Sequence, residues 1–207
     1  MRLFLASEAK HPDSMVKLEK FVGGLNGKKI AYVPTAANGE LPYGDWSKGE
    51  TWNLLNQKYQ VKITLAQLEE YRDKSVLKHL RNQDIIWFAG GSCSYLIYWI
   101  LRCEIDKFLP ELLEKGAIYV GSSAGSMVTA PTLDLAEWYP GEPEIGAHYL
   151  PGLGLVDFDF FPHFEDALLP ELKKWYRGKK MYLLKNGDAI TVENKKVTVL
   201  GQKRVLP

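Results

Sequence analysis

Ala117-Ile118-Tyr119-Val120-Gly121-Ser122-Ser123-Ala124-Gly125-Ser126-Met127-Val128 runs from an apolar segment through a string of small residues into a second apolar segment. Residues 117–121 have the content of a strand buried on both faces, and the residues that follow read as a helix. A strand that enters a helix through so short a turn is half of a βαβ unit, so the sheet is expected to be parallel. Outward from this stretch the alternation continues. Strands are expected at 3–6, 29–33, 61–65 and 84–89, and spacings nearer 3.6 than 2 predict helices over 13–21, 50–59, 73–81 and 95–113. Pro110 is expected to kink or divide the last of these. The fold class is therefore α/β, with a mostly parallel sheet covered by helices on both faces.

Past the small residues the rhythm changes. Residues 131–154 hold four prolines and four glycines, which predicts a long loop, and such loops often serve as lids or pocket walls. A further strand over 155–162, a helix over 165–176 and two or three short strands toward the end complete the reading, with Asn194-Lys195 as a hairpin turn. The 207 residues, 46% hydrophobic and 25% charged, suit one globular domain over 1–207. A net charge of +1 leaves no field to draw nucleic acid or an anionic membrane. No apolar run reaches the roughly 18 residues of a membrane span, and the start MRLFLASEAKHP reads as a first core strand instead of a secretory signal. A cytoplasmic location is expected, with Cys93 and Cys103 as free thiols.

The string of small residues contains G-x-S-x-G. A hydroxyl at Ser123 would project from a sharp strand-to-helix turn, Gly121 and Gly125 would give it room, and the Ala124 N–H at the helix start would face a developing oxyanion. The plainer reading is a Gly/Ser-rich turn that binds phosphate or only reverses the chain. A nucleophilic serine needs a base. Among the histidines, His11 lies in the first βα connection, His79 in a charged helix and His148 in the long loop. His163 instead directly follows an apolar run, where a strand end would place it on the rim that gathers ligands in such sheets. Gly90-Gly91 closes the strand over 84–89, and the Gly91 N–H is a second candidate donor for an oxyanion hole; alternatively the pair only permits a tight turn.

With these three places on one chain, the sequence resembles the S51 serine peptidases, the family of aspartyl dipeptidase (peptidase E) and cyanophycinase, whose fold is similar to class I glutamine amidotransferases. The resemblance rests on Gly90-Gly91-Ser92, the elbow Gly121 to Gly125, Pro162-His163-Phe164 and a closing strand pair ending in Val199-Leu200-Gly201. It implies a flavodoxin-like, doubly wound sheet with a short C-terminal antiparallel pair, Ser123 as nucleophile, His163 as base, and no metal or organic cofactor. In the family the acid lies either shortly after the elbow or in the first of the closing strands, often as Glu-Gly-Thr; there this chain reads Asn186-Gly187-Asp188, so an amide takes the acid's place, and an amide can orient an imidazole but not stabilise its charged form. Asp188, two residues on in an extended strand, is the first expectation for the acid, followed by Glu137 and Glu165.

The expected partner is a small peptide substrate, with no nucleic acid or membrane, and a homodimer is left open. Residues 129–134 lack the base that an aspartate-specific enzyme of the family needs. If the acidic and aromatic loop lines the pocket, a substrate with a free amine or basic side chain is favoured. Two rivals stand beside a peptidase or amidase: an amidotransferase-like enzyme with a cysteine nucleophile, and a non-catalytic binding module on the same fold.

Overall fold

Alternate residues of the central strands enter two separate apolar layers. Leu3, Leu5, Ala31, Val33, Ile86, Phe88 and Tyr119 belong to one; Phe4, Ala6, Ile30, Tyr32, Ile85, Trp87, Ile118 and Val120 belong to the other. This period of two, apolar on both faces, is why the runs form a buried parallel sheet. In the computed structural model, which describes residues 1–40 and 48–207, the parallel strands are β1 (Arg2–Ala6), β2 (Lys29–Val33), β3 (Lys62–Leu65), β4 (Ile85–Phe88) and β5 (Ile118–Ser122). Later come β6 (Asp159–Phe161), β7 (Met181–Leu183), β8 (Ala189–Glu193), β9 (Lys196–Leu200) and β10 (Val205–Leu206). The seven-stranded sheet has the order β3-β2-β4-β5-β1-β8-β9, with β8 and β9 antiparallel. Counted from β2, its first four strands follow the 2-1-3-4 order of a flavodoxin-like fold, and β1 takes the fifth place. A second sheet has the order β10-β7-β6.

Several elements differ from expectation. The helical stretch over 95–113 divides, but not at Pro110: the two helices are Cys93–Arg102 and Ile105–Glu114, and the break falls at Glu104, whose φ is 59°. The buried stripe explains this. It runs Cys93, Leu96, Ile97, Ile100 and then restarts at Ile105, Leu109, Leu113, a change of phase that one straight helix could not bury. Over 73–81 there is only a 3₁₀ turn (Lys74–Val76) and one helical turn (Leu77–Leu80). The run 155–162 contributes just three strand residues, and they pair in the second sheet. Asn194 and Lys195 form the turn between β8 and β9 at φ 49° and 68°, the backbone a two-residue hairpin requires. Cys93 and Cys103 are free and buried.

Candidate active site

The register of the sheet brings three strand ends together. Ala6 pairs with Ser122 across β1 and β5, and Phe88 pairs with Gly121 across β4 and β5. Ser7, the Ala89-Gly90-Gly91 turn and Ser123 therefore emerge side by side. Ser123 has φ 47° and ψ −112°, a backbone that costs on the order of 1–3 kcal/mol for a residue with a side chain. Its surroundings leave no room for anything larger than glycine on either side. A Cβ on Gly121 would come within 2.5 Å of the Gly125 carbonyl oxygen, and one on Gly125 within 2.3 Å of the Phe88 carbonyl oxygen. The turn is tied down by the Ser123 N–H to Ala6 O at 3.1 Å, by the Ser126 hydroxyl to the same oxygen at 2.9 Å, and by the buried Tyr119 hydroxyl to Gly125 O at 2.5 Å. The helix that follows is a single turn, Ala124–Met127.

His163 arrives from the second sheet. β6 ends at Phe161, Phe164 N–H donates to Leu184 O at 2.9 Å, and the Tyr139 hydroxyl donates to Pro162 O at 2.8 Å, so the residue is held on both sides at φ 52°. Its Nε2 lies 3.0 Å from Ser123 Oγ, and its Nδ1 lies 2.6 Å from Asn186 Oδ1. Asn186 reaches it because β8 runs antiparallel to β1 and starts at the end of β1, with Ala6 opposite Ala189. The turn that precedes β8 is thereby pressed against Ser7, whose N–H donates to Asp188 O at 3.2 Å.

The expectation of Asp188 as the acid is corrected. An extended strand through residues 186–188 would put Asp188 on the same side as Asn186, but Gly187 has φ 90° and Asp188 N–H turns back to Lys185 O at 2.9 Å, so side chains do not alternate there. The Asp188 carboxylate instead accepts from Arg204 at 3.1 Å and from Lys185 N–H at 3.3 Å. Glu137 is also spent elsewhere: it lies 2.9 Å from His148 Nδ1 and accepts from Gly146 N–H at 2.7 Å, contacts that hold its carboxyl below its ordinary range. Glu165 is exposed at the start of a 3₁₀ turn. The position opposite the imidazole belongs to an amide.

Gly91 (φ 131°) packs so closely that a Cβ would lie 2.2 Å from Ala36 O, and the Cβ position of Gly90 is 3.2 Å from Ser123 Cβ. The glycine turn thus lies against the serine. Among the described residues no acceptor takes the N–H of Gly91 or of Ala124. Cys93 lies beneath, buried, with its thiol 3.8 Å from Met127 Sδ and its pKa pushed well up, first by burial and then by Glu144. Such a thiol is a poor nucleophile.

Above Ser123 opens a cavity of about 390 Å³, lined by Gly90, Gly91, Ser123, His163, Tyr32 and Tyr139, and by the carboxylates Glu8, Glu40, Glu50, Glu142 and Glu144. Among the described residues Lys10 is the cation on its wall, and it is engaged by Glu8 at 3.7 Å and by Glu50. Glu144 has a structural task, accepting from the N–H groups of Cys93 (2.7 Å) and Ser94 (2.6 Å) and the Ser92 hydroxyl (3.0 Å) at the start of the helix Cys93–Arg102. Burial, then Glu142 and Glu144, raise the pKa of Glu40. Ser7, Lys10 and Glu40 stand outside the expected site residues; of these, only Ser7 has a local signal in the sequence, as a polar residue directly after a buried strand. Among the described residues no cluster of metal-binding side chains occurs, and no helix is long and apolar enough to cross a membrane.

The model of peptidase family S51 matches residues 3–200. The chain is 28% identical over 203 residues to an uncharacterised peptidase, Lmo0363, of Listeria monocytogenes, covering 94% of this chain and 96% of that one. It is 24% identical over 226 residues to peptidase E of Pasteurella multocida, covering 100% and 91%. A crystal structure of a peptidase E candidate from Listeria monocytogenes EGD-e superposes with a TM-score of 0.76 at 23% identity, covering 96% of this chain and 97% of that one.

Proposed function

The chain belongs to peptidase family S51, and from that premise we propose that it is a serine-type peptidase or amidase that hydrolyses small peptides through an acyl-enzyme on Ser123. The observation that carries this reading is the 3.0 Å contact between Ser123 Oγ and His163 Nε2 on a backbone held at φ 47°. With its proton on Nδ1, directed to Asn186 Oδ1, the imidazole presents a lone pair to Ser123 and takes the hydroxyl proton as Oγ attacks the carbonyl carbon. The Gly91 and Ala124 N–H groups face the negative oxygen of the tetrahedral intermediate. His163 then passes the proton to the leaving amine. A water, deprotonated by the same nitrogen, cleaves the ester and restores Ser123.

The substrate fits the charge of the cavity. Glu40 and Glu142 have no cation opposite them among the described residues, and Lys10 is already engaged. A volume of about 390 Å³ is at the small end of ligand clefts. The substrate class is therefore a short peptide or amide that brings a free amine or a basic side chain, and a substrate carboxylate in the same place would be repelled.

Purified protein should hydrolyse short peptides with an amino-terminal or side-chain cation and should react with a fluorophosphonate at Ser123. Ser123→Ala should remove both activities, and retention of peptide hydrolysis in that variant would sink the proposal. Iodoacetamide should leave the native protein active, because Cys93 is buried and its thiol pKa is raised; inactivation by alkylation at Cys93 would favour the amidotransferase-like reading instead.

A further inference from the structure

A carboxylate opposite a histidine can only accept, whereas an amide has an oxygen on one side and an NH₂ on the other. With its oxygen toward His163 Nδ1, Asn186 requires the proton on Nδ1 and leaves Nε2 free to act as a base. Turned over, its NH₂ would donate to Nδ1, the proton would move to Nε2, and the imidazole would face Ser123 with a donor. An amide in this place therefore needs something to decide its orientation.

Ser7 stands where that decision can be made. It is fully buried at the end of β1. Its Oγ accepts the backbone N–H of His163 at 2.8 Å and lies 3.0 Å from Asn186 Oδ1. Because the N–H can only donate, the single proton of the hydroxyl is left for Asn186. If the amide were turned over, two donors would face Ser7 Oγ and its own proton would have no acceptor in a place without solvent, which is the costly way to leave a polar group. The Ser7 backbone joins in, since its N–H holds the 185–188 turn through Asp188 O at 3.2 Å.

We propose that Ser7 is a positioning residue that sets the tautomer of His163: its hydroxyl holds the oxygen of Asn186 toward Nδ1 and so keeps Nε2 unprotonated toward Ser123. The inference rests on the reading of Ser123 and His163 as nucleophile and base. It assigns to a neutral hydroxyl the task that the acceptor-only chemistry of a carboxylate performs in an Asp or Glu triad.

Long-range ¹H–¹⁵N spectra of the unmodified ¹⁵N-labelled protein, recorded at a mildly alkaline pH, should show His163 as the Nδ1–H tautomer. Ser7→Ala should shift it toward Nε2–H and lower kcat about tenfold or more with little change in KM. Asn186→Asp placed on Ser7→Ala should restore both, because a carboxylate needs no orienting. Ser7→Cys, nearly the same size but with a much weaker donor, should shift the tautomer and kcat in the same direction to a smaller extent where Ser7→Ala does not fold. An Nε2–H tautomer in the unmodified protein overturns the proposal outright. So does a Ser7 variant that keeps the Nδ1–H form, whether its kcat is unchanged or falls without rescue by Asn186→Asp. An Nδ1–H tautomer that depends on Ser7, in a protein that cleaves no peptide, supports the Ser7 assignment and sinks only the peptidase reading.

Discussion

Ser123 holds a backbone conformation that serine avoids, and the cost of about 1–3 kcal/mol is carried by neighbours that cannot be enlarged. Gly125→Ala would force a Cβ to 2.3 Å from the Phe88 carbonyl oxygen, backbone against backbone, so relief requires moving β4 or the elbow. It should destabilise the protein by more than about 3 kcal/mol, read as a shift in the denaturation midpoint. Asn186 poses a different question at the same scale. Its oxygen lies 2.6 Å from His163 Nδ1, but it has no charge to stabilise the imidazolium that the proposed mechanism forms as Ser123 gives up its proton. Asn186→Asp should therefore raise kcat by about tenfold or more, with KM nearly unchanged, in steady-state kinetics on a cationic peptide or ester. An unchanged kcat would mean that proton transfer to His163 does not limit the rate.

The element that departs most from its sequence reading is the segment 131–154. Its prolines and glycines suggested a loop, yet it contains the helical turn Asp134–Glu137, the 3₁₀ turn Ala147–Tyr149 and a bridge between Thr132 and Pro151. It clamps two elements of the candidate site. Tyr139 stacks on Phe161 at 5.0 Å and holds Pro162, the residue before His163, while Glu144 caps the helix that follows the Gly90-Gly91 turn. A carboxylate that accepts two N–H groups at a helix start is stabilised by charge-assisted bonds and by the helix dipole together. Glu144→Gln should cost about 1–2 kcal/mol, lowering Tm by about 2–8 °C in a chain of this length. Differential scanning fluorimetry checks it, and a Tm within a degree of the parent would show that the cap contributes little.

Across the whole molecule, charge is nearly balanced at +1, yet its distribution is not. Among the described residues, five glutamates and one lysine line the cavity over Ser123. The sign of the pH effect follows from Glu40, whose carboxyl titrates above its ordinary range because burial and its acidic neighbours disfavour the ionised form. Below that raised pKa the group is neutral and attracts no cation. KM for an amine-bearing substrate should thus rise as pH falls through it, and Glu40→Gln should flatten that limb of the profile while raising KM at neutral pH. For an uncharged ester of similar size KM should be little affected. A cationic substrate whose KM is the same in Glu40→Gln would exclude this carboxylate from substrate binding.

The amino-acid sequence by itself determined the parallel sheet, because apolar runs buried on two faces leave few other arrangements, and it marked Ser123, whose small neighbours are unusual enough to stand out locally. His163 was legible as a histidine directly after an apolar run, although the strand proved to be three residues long and part of a second sheet. Asn186 stands in one of the two positions that the family resemblance gives the acid, and the expectation of Asp188 fails because residues 185–188 form a turn and not a strand. What the tertiary structure alone decided is the company these residues keep. That Ser7, 156 positions before His163, accepts its N–H, and that the 185–188 turn meets both, follows from β8 pairing antiparallel with β1. Local periodicity reports which face of an element is buried; it holds no information on which element will lie beside it, and hydrogen bonds of a few ångströms are fixed by that choice.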